Sequence, residues 1–166
     1  CAAQFAALGA DLVITARRED RLKIAAKEIA SRYGVKCLPM PLDVQKNDEV
    51  ELVFQKLETE HLEIDVLVNN AGLALTLDKL QDGKTSNWDI MIDTNIKGVL
   101  YLSKAVLPGM IKRNQGHIIN IGSIAGHGFY TAGNVYCATK HAVRAISQSL
   151  RLDLLGTAIR VSEIDP

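Results

Sequence analysis

The sequence predicts an α/β fold in three αβα layers, a parallel sheet doubly wound with helices on both faces, and two observations predict it. Short apolar runs rich in β-branched residues alternate with longer stretches of helical period, the order that strand-helix-strand units produce. These runs are apolar at nearly every position rather than at alternate ones, as strands covered on both faces must be.

In chain order, Cys1 to Leu8 reads as an Ala-rich helix running into Gly9, and Asp11 to Ala16 as the first recognisable strand. A helix is expected from Asp20 to Arg32, a strand from Val35 to Leu42 and a helix from Asn47 to Glu60. Ile64 to Asn69 is a third strand, followed by one long helix from Ser86 to Arg113. His117 to Gly122, a helix from Gly133 to Leu155, and a last strand from Ala158 to Ile164 complete the reading. Gln115-Gly116 and Leu155-Gly156 punctuate helix ends, where glycine accepts the left-handed conformation. A doubly wound sheet opens with a strand and turn before its first helix, and Pro166 follows the last strand directly. The first strand and the C-terminal part of the fold are therefore expected to be missing from this stretch.

Composition narrows the function. With 48% hydrophobic and 23% charged residues, the 166 residues suit one globular domain over 1–166. Nineteen Lys and Arg balance nineteen Asp and Glu, so no global field draws the chain to nucleic acid or to an anionic membrane. Cys1, Cys37 and Cys137 are odd in number and have no C-x-x-C spacing, which argues against a disulfide framework or a zinc site and fits a reducing cytoplasm. His61, His117, His127 and His141 have no metal-ligand spacing. No apolar stretch approaches the eighteen or so residues that span a bilayer.

The residues that bear chemistry cluster late in the chain. Tyr136 and Lys140 lie four apart on a helix and so share a face. A phenol exchanges protons near neutral pH only when its anion is stabilised, and an ammonium one turn away does that. Ser123 stands at the carboxyl end of a strand, where open α/β sheets place their ligands. A hydrolase elbow is excluded there, because Ile121 occupies the position of the first glycine in G-x-S-x-G. Asn95 is a mediocre helix former inside the long apolar-periodic helix, suited either to opening that helix through side-chain to backbone bonds or to holding a water that relays protons to Lys140.

Small residues in Asn69-Asn70-Ala71-Gly72 close the third strand and let a cofactor approach the backbone, with Asn69, Ala71 and Gly72 the contacts. Asp43, beside Val44, suits an adenine amino group and equally suits capping the next helix. Arg17 and Arg18 end the first recognisable strand where an acidic residue would bond an unphosphorylated ribose. Two guanidinium forks there favour a 2′-phosphate, with one of the pair expected to meet Glu19 or Asp20. His127 lies in the loop between Ser123 and Tyr136, placed to line a substrate pocket.

Taken in order, Asn69-Asn70-Ala71-Gly72, Asn95, Ser123 and Tyr136-x-x-x-Lys140 resemble the short-chain dehydrogenase/reductase family over nearly the whole chain. Residues 69–75, 91–110 and 116–140 most resemble its NADP-dependent 3-hydroxy acid dehydrogenases, enzymes for serine, allo-threonine and similar acids. The resemblance implies a Rossmann-like fold and an NADP cofactor. It implies that Ser123 orients the substrate oxygen and Tyr136 exchanges the proton. Lys140 would hold the nicotinamide ribose and Asn95 anchor a water. It also implies a small-molecule substrate and a homo-oligomer, dimer or tetramer, paired through the long helices at residues such as Tyr101, Leu102 and Ile146. The same motifs serve reductases of 3-oxoacyl thioesters, steroids or ketones, and a noncatalytic dinucleotide-binding sensor would keep the fold.

Overall fold

A computed structural model describes all 166 residues, Cys1 to Pro166, in two compact units, Cys1–Asp43 and Val44–Pro166. The first unit holds α1 (Ala2–Ala7), β1 (Leu12–Ala16), α2 (Glu19–Tyr33) and β2 (Cys37–Pro41). Strands β1 and β2 pair in parallel, from Leu12 against Cys37 to Ala16 against Pro41. A strand carrying two prolines is possible here because of parity. The Leu42 amide bonds the Ala16 carbonyl, so alternate residues turn their amides to β1 while Pro39 and Pro41, which have none, face away. Helix α2 buries Leu22 and Ala26, one turn apart, and ends on Gly34 in the left-handed conformation.

The second unit contains α3 (Asn47–Thr59), β3 (Val66–Asn69), α4 (Thr85–Ile92), α5 (Gly98–Arg113), β4 (Gly116–Ile121), α6 (Asn134–Asp153) and β5 (Ile159–Ile164). Short 3-10 turns occupy Leu80–Asp82 and Ile124–Gly126. Strand β4 lies between β3 and β5, all parallel, with Val66 against His117 and Ile121 against Ile164 marking the register. This is the Rossmann-like α/β pattern, with every strand pair parallel. The single sheet expected is instead two hydrogen-bonded sheets, because no strand of the chain pairs with both groups. Complete burial of both sheet faces is also not found: along β4 fully buried and half-buried residues alternate.

The core of this unit gathers Val106 and Met110 of α5, Ile118 of β4, Leu154, and Ile159 and Val161 of β5. Gly116 is required by this packing, since a Cβ there would overlap the Met110 thioether. The left-handed residue that ends α5 is accordingly Asn114, φ 50°, and not Gly116, whereas Gly156 does turn the chain from α6 to β5, at φ 84°. The long helix expected over Ser86–Arg113 is present as α4 and α5 joined by one π turn, Asp93–Lys97. No helix is long and apolar enough to cross a membrane.

Candidate active site

Helix α6 presents Tyr136 and Lys140 on one face, with the ammonium 5.8 Å from the centroid of the phenol ring. Tyr136 is half-buried and Lys140 only 7% exposed. The Lys140 Nζ donates to the Ile121 carbonyl at 2.9 Å, which ties α6 to the carboxyl end of β4. Burial pushes the Lys140 amine below the ordinary lysine range, and the carboxylates of Asp165 and then Glu163 oppose that push.

Two residues beyond Ile121, Ser123 leaves the strand in extended conformation and caps the 3-10 turn Ile124–Gly126, its Oγ accepting from the Ala125 amide at 3.2 Å. An acceptor role toward the backbone leaves the hydroxyl hydrogen to be donated elsewhere. The turn packs directly on α6, because a Cβ on Gly126 would stand 3.0 Å from the Lys140 carbonyl oxygen. Ser123 is thus carried by backbone that leans on the lysine's own peptide.

Asn95 sits in the π turn, 1% exposed. Its Oδ1 accepts from the Leu73 amide at 2.9 Å, while its Nδ2 donates to the Leu73 carbonyl at 2.9 Å and to Thr139 Oγ1 at 3.0 Å. The Thr139 hydroxyl in turn donates to the Tyr136 carbonyl at 2.8 Å. Both Nδ2 hydrogens are spent, and the backbone that the side chain bonds is that of Leu73, in the loop after β3, rather than that of its own helix. The π register is explicit: the Gly98 amide reaches Asp93, five residues back, and such a turn leaves a helix carbonyl without its usual partner. Gly72 completes the arrangement. A Cβ added to it would lie 3.5 Å from Asn95 Oδ1 and 3.6 Å from Lys140 Nζ, so the loop after β3, the π turn and α6 meet at one point.

Asn69 turns inward. It is 3% exposed, and its Nδ2 donates to Asn120 Oδ1 at 2.8 Å and Ser103 Oγ at 3.2 Å. Asn120 Nδ2 continues to Ser147 Oγ at 2.9 Å. A buried amide lattice therefore links β3, β4, α5 and α6 beneath the loop, and the Asn69 side chain does not present itself as a cofactor contact. Val44 packs against the start of α5, where a Cβ on Gly98 would come within 2.9 Å of it.

In the unit Cys1–Asp43, Arg17 and Arg18 are both exposed at the end of β1. Neither forms the ion pair expected with Glu19 or Asp20; Glu19 binds Lys23 instead, at 2.7 Å and one turn along α2, in the (i, i+4) position that a helix favours. The N-cap position of α3 is Lys46.

His127, expected beside a pocket, is 45% exposed and bonds Asp165 Oδ2 through Nε2 at 2.8 Å. His141 stacks on Phe129 with centroids 4.7 Å apart. Two clefts of about 370 and 390 Å³ share Asn134 and Ala138 of α6, and neither is lined by Ser123, Tyr136 or Lys140. Thr139, Asn120, Ser147, Glu163 and Asp165 were not singled out from the sequence. The signal for Asn120 is an amide among the three isoleucines of β4, and that for the carboxylates is a pair of acids flanking Ile164.

Comparison with known proteins gives the family and the fold. The family model described as short chain dehydrogenase matches residues 1–166. An NADP-dependent 3-hydroxy acid dehydrogenase of Salmonella typhi is 47% identical over 99% of this chain and 65% of its own length. The crystal structure of serine dehydrogenase from Escherichia coli superposes with TM-score 0.91 at 46% identity, over 99% of this chain and 74% of that one. A closed form of serine dehydrogenase complexed with NADP+ gives TM-score 0.90 at 46% identity, over 98% and 64%. The chain thus spans a little under two thirds of the curated relatives' length.

The amide lattice makes a testable claim. Asn120→Ala removes the acceptor of one Asn69 Nδ2 hydrogen and the donor to Ser147 Oγ, and should cost about 1–3 kcal/mol in denaturant unfolding. A change below about 0.5 kcal/mol would show that the lattice is not needed.

Proposed function

The chain belongs to the short-chain dehydrogenase family, and from that premise we propose that it is the catalytic part of an NADP-dependent oxidoreductase acting on a small 3-hydroxy acid or its keto form. The observation that carries the proposal is the meeting of Gly72, Asn95 and Lys140 at one point beside the Tyr136 ring. It supports a reading in which Tyr136 exchanges a proton beside an amine and a wall without a side chain, at the carboxyl edge of a parallel sheet.

The residues present fit a phosphorylated dinucleotide. Gly72 leaves open the space beside Lys140 that a side chain would fill, and Arg17 and Arg18 are exposed guanidinium groups without carboxylate partners. In the unit Val44–Pro166 we assign the nicotinamide ribose to Tyr136 and Lys140. Contacts along the dinucleotide go to Val44, Ala71, Gly72 and the main chain of Asn69. In the unit Cys1–Asp43, Arg17 and Arg18 are assigned to the 2′-phosphate and Asp43 to the adenine. The bound cofactor supplies the nicotinamide that accepts or returns a hydride.

In the oxidative direction Tyr136 Oη takes the proton of the substrate hydroxyl as the carbon-bound hydrogen departs with its electron pair. Ser123 donates its free hydroxyl hydrogen to the oxygen that becomes the carbonyl. Lys140 faces the phenol as an ammonium, and a cation there favours the charge distribution of proton removal. Asn95 fixes Leu73 and Thr139, and a water on the π-turn backbone would continue the proton path from Lys140. The reverse direction uses the same groups with the proton returning from Tyr136. Pairing of copies through α5 and α6, where Tyr101, Leu102 and Ile146 are half-buried, gives the homodimer or homotetramer that we assign to the full-length protein.

In that full-length protein Tyr136→Phe should lower kcat by about 10²- to 10⁴-fold while NADPH binding, followed by fluorescence titration, stays within a few-fold. Near-wild-type turnover would end the catalytic assignment. Arg17→Asp should erode the preference for NADP over NAD by about tenfold or more, read from kcat/KM with each cofactor; an unchanged ratio would remove the phosphate role. A substrate panel should rank 3-hydroxy acids above ketones, steroids and 3-oxoacyl thioesters. The opposite ranking would reassign the substrate class, and nucleotide binding without any turnover would point to a sensor.

A further inference from the structure

We infer that Asp165 and Glu163, held over Gly122 by the end of β5 and by His127, are the counter-charges that keep the buried Lys140 ammonium protonated, and hence are positioning residues for the reaction proposed above, on which the catalytic half of this inference rests. Lys140 is 7% exposed, and the hydrogen bond that holds its Nζ goes to a neutral acceptor, the Ile121 carbonyl at 2.9 Å. It forms no ion pair within 4.0 Å. A buried cation without compensating charge is unstable as a cation and surrenders its proton.

The compensation lies at the adjoining residue. Gly122 directly follows Ile121, and a Cβ on Gly122 would overlap Asp165 Oδ1 and stand 2.7 Å from Glu163 Oε1. Both carboxylates therefore lie over the residue adjoining the lysine's acceptor, in the room left by its missing side chain. Glu163 Oε1 and Asp165 Oδ1 are buried without hydrogen-bond partners, so a nearby cation is the compensation open to them on that side.

The strand end that carries them is tied down on both sides of Ser123. The Gly122 amide donates to the Ile164 carbonyl at 2.9 Å and the Ile124 amide to the Pro166 carbonyl at 3.3 Å. His127, at the far end of the same 3-10 turn, holds Asp165 Oδ2 at 2.8 Å. One clamp thus positions the substrate-facing serine and the lysine's counter-charges together.

The charged and titratable groups around this cluster come from each element packed on it. They are Tyr136 and Arg151 from α6, His127 at the C-cap of the turn, Glu163 from β5 and Asp165 just beyond it. Burial and the neighbouring Asp165 push the Glu163 carboxyl upward, as expected of two acids packed side by side, while Ser147, Arg151 and His127 restrain it. For Lys140 the opposition runs the other way, burial lowering the amine and the two carboxylates raising it.

The test is a pH titration of the Lys140 side-chain amine by 15N NMR in the full-length protein, its signal assigned by its loss in Lys140→Arg. Asp165→Asn keeps the shape and the hydrogen bond to His127 but removes the charge. It should lower the Lys140 midpoint by about one unit, and Glu163→Gln should do likewise. Asp165→Glu, which restores the charge, should return the midpoint to within a few tenths of a unit of wild type. The upper pH limb of kcat should fall with the midpoint in the same variants. Unmoved midpoints in both Asp165→Asn and Glu163→Gln would overturn the counter-charge assignment. A midpoint that moves while the kcat profile stays put would instead leave the counter-charges standing and count against the catalytic reading of Lys140.

Discussion

Lys140 is a cation set almost wholly out of water at the carboxyl end of β4, and the architecture around it answers the cost of putting it there. An ammonium in such a place needs a fixed acceptor, nearby negative charge and neighbours that do not move. The Ile121 carbonyl is the acceptor. The backbone of Gly122 through Gly126 is pressed between α6 and the end of β5, so the turn that carries Ser123 inherits its position from the same constraint. Chemistry and packing are consequently not separable in this region: the peptide that holds the serine also frames the lysine.

Around this point the protein uses buried amides to hold unlike elements in register. Asn95 bonds both polar groups of the Leu73 backbone and then Thr139, which joins a loop, a π turn and α6 through one side chain. Asn69 and Asn120 do the same for β3, β4, α5 and α6 together with Ser103 and Ser147. Buried polar networks of this sort, here complete except for Asn69 Oδ1, specify one arrangement where apolar packing alone tolerates several. The glycines act in the complementary sense. Gly126 lets its turn approach the Lys140 carbonyl more closely than a side chain comfortably permits, and Gly122 leaves room for two carboxylates.

Much of this was legible from the residues alone. All five strands and the principal helices lie where the apolar periodicity puts them, within one or two residues at most ends, because burial on a sheet and burial on a helix leave different spacings. Asn95 stood out as a poor helix former, and the π turn is the structural reason. Less visible was the division of labour among polar residues. Asn69 belongs by sequence to a glycine-containing loop, yet its side chain faces the interior, since the last residue of a strand shares the strand's alternation. Asn114 rather than Gly116 takes the left-handed position because Gly116 is already committed to making room for Met110.

By itself the sequence determined the fold class, the order of the elements and the pairing of Tyr136 with Lys140, since these rest on local periodicity and on four-residue helical spacing. Tertiary structure alone decided that Lys140 reaches Ile121, that Gly72 and Asn95 meet it, and that His127 grips Asp165 thirty-eight residues away. The physical reason is range. Hydrophobic pattern is written within a few neighbouring residues, whereas a hydrogen bond or a counter-charge between distant segments exists only after folding has brought their backbones to one edge of the sheet.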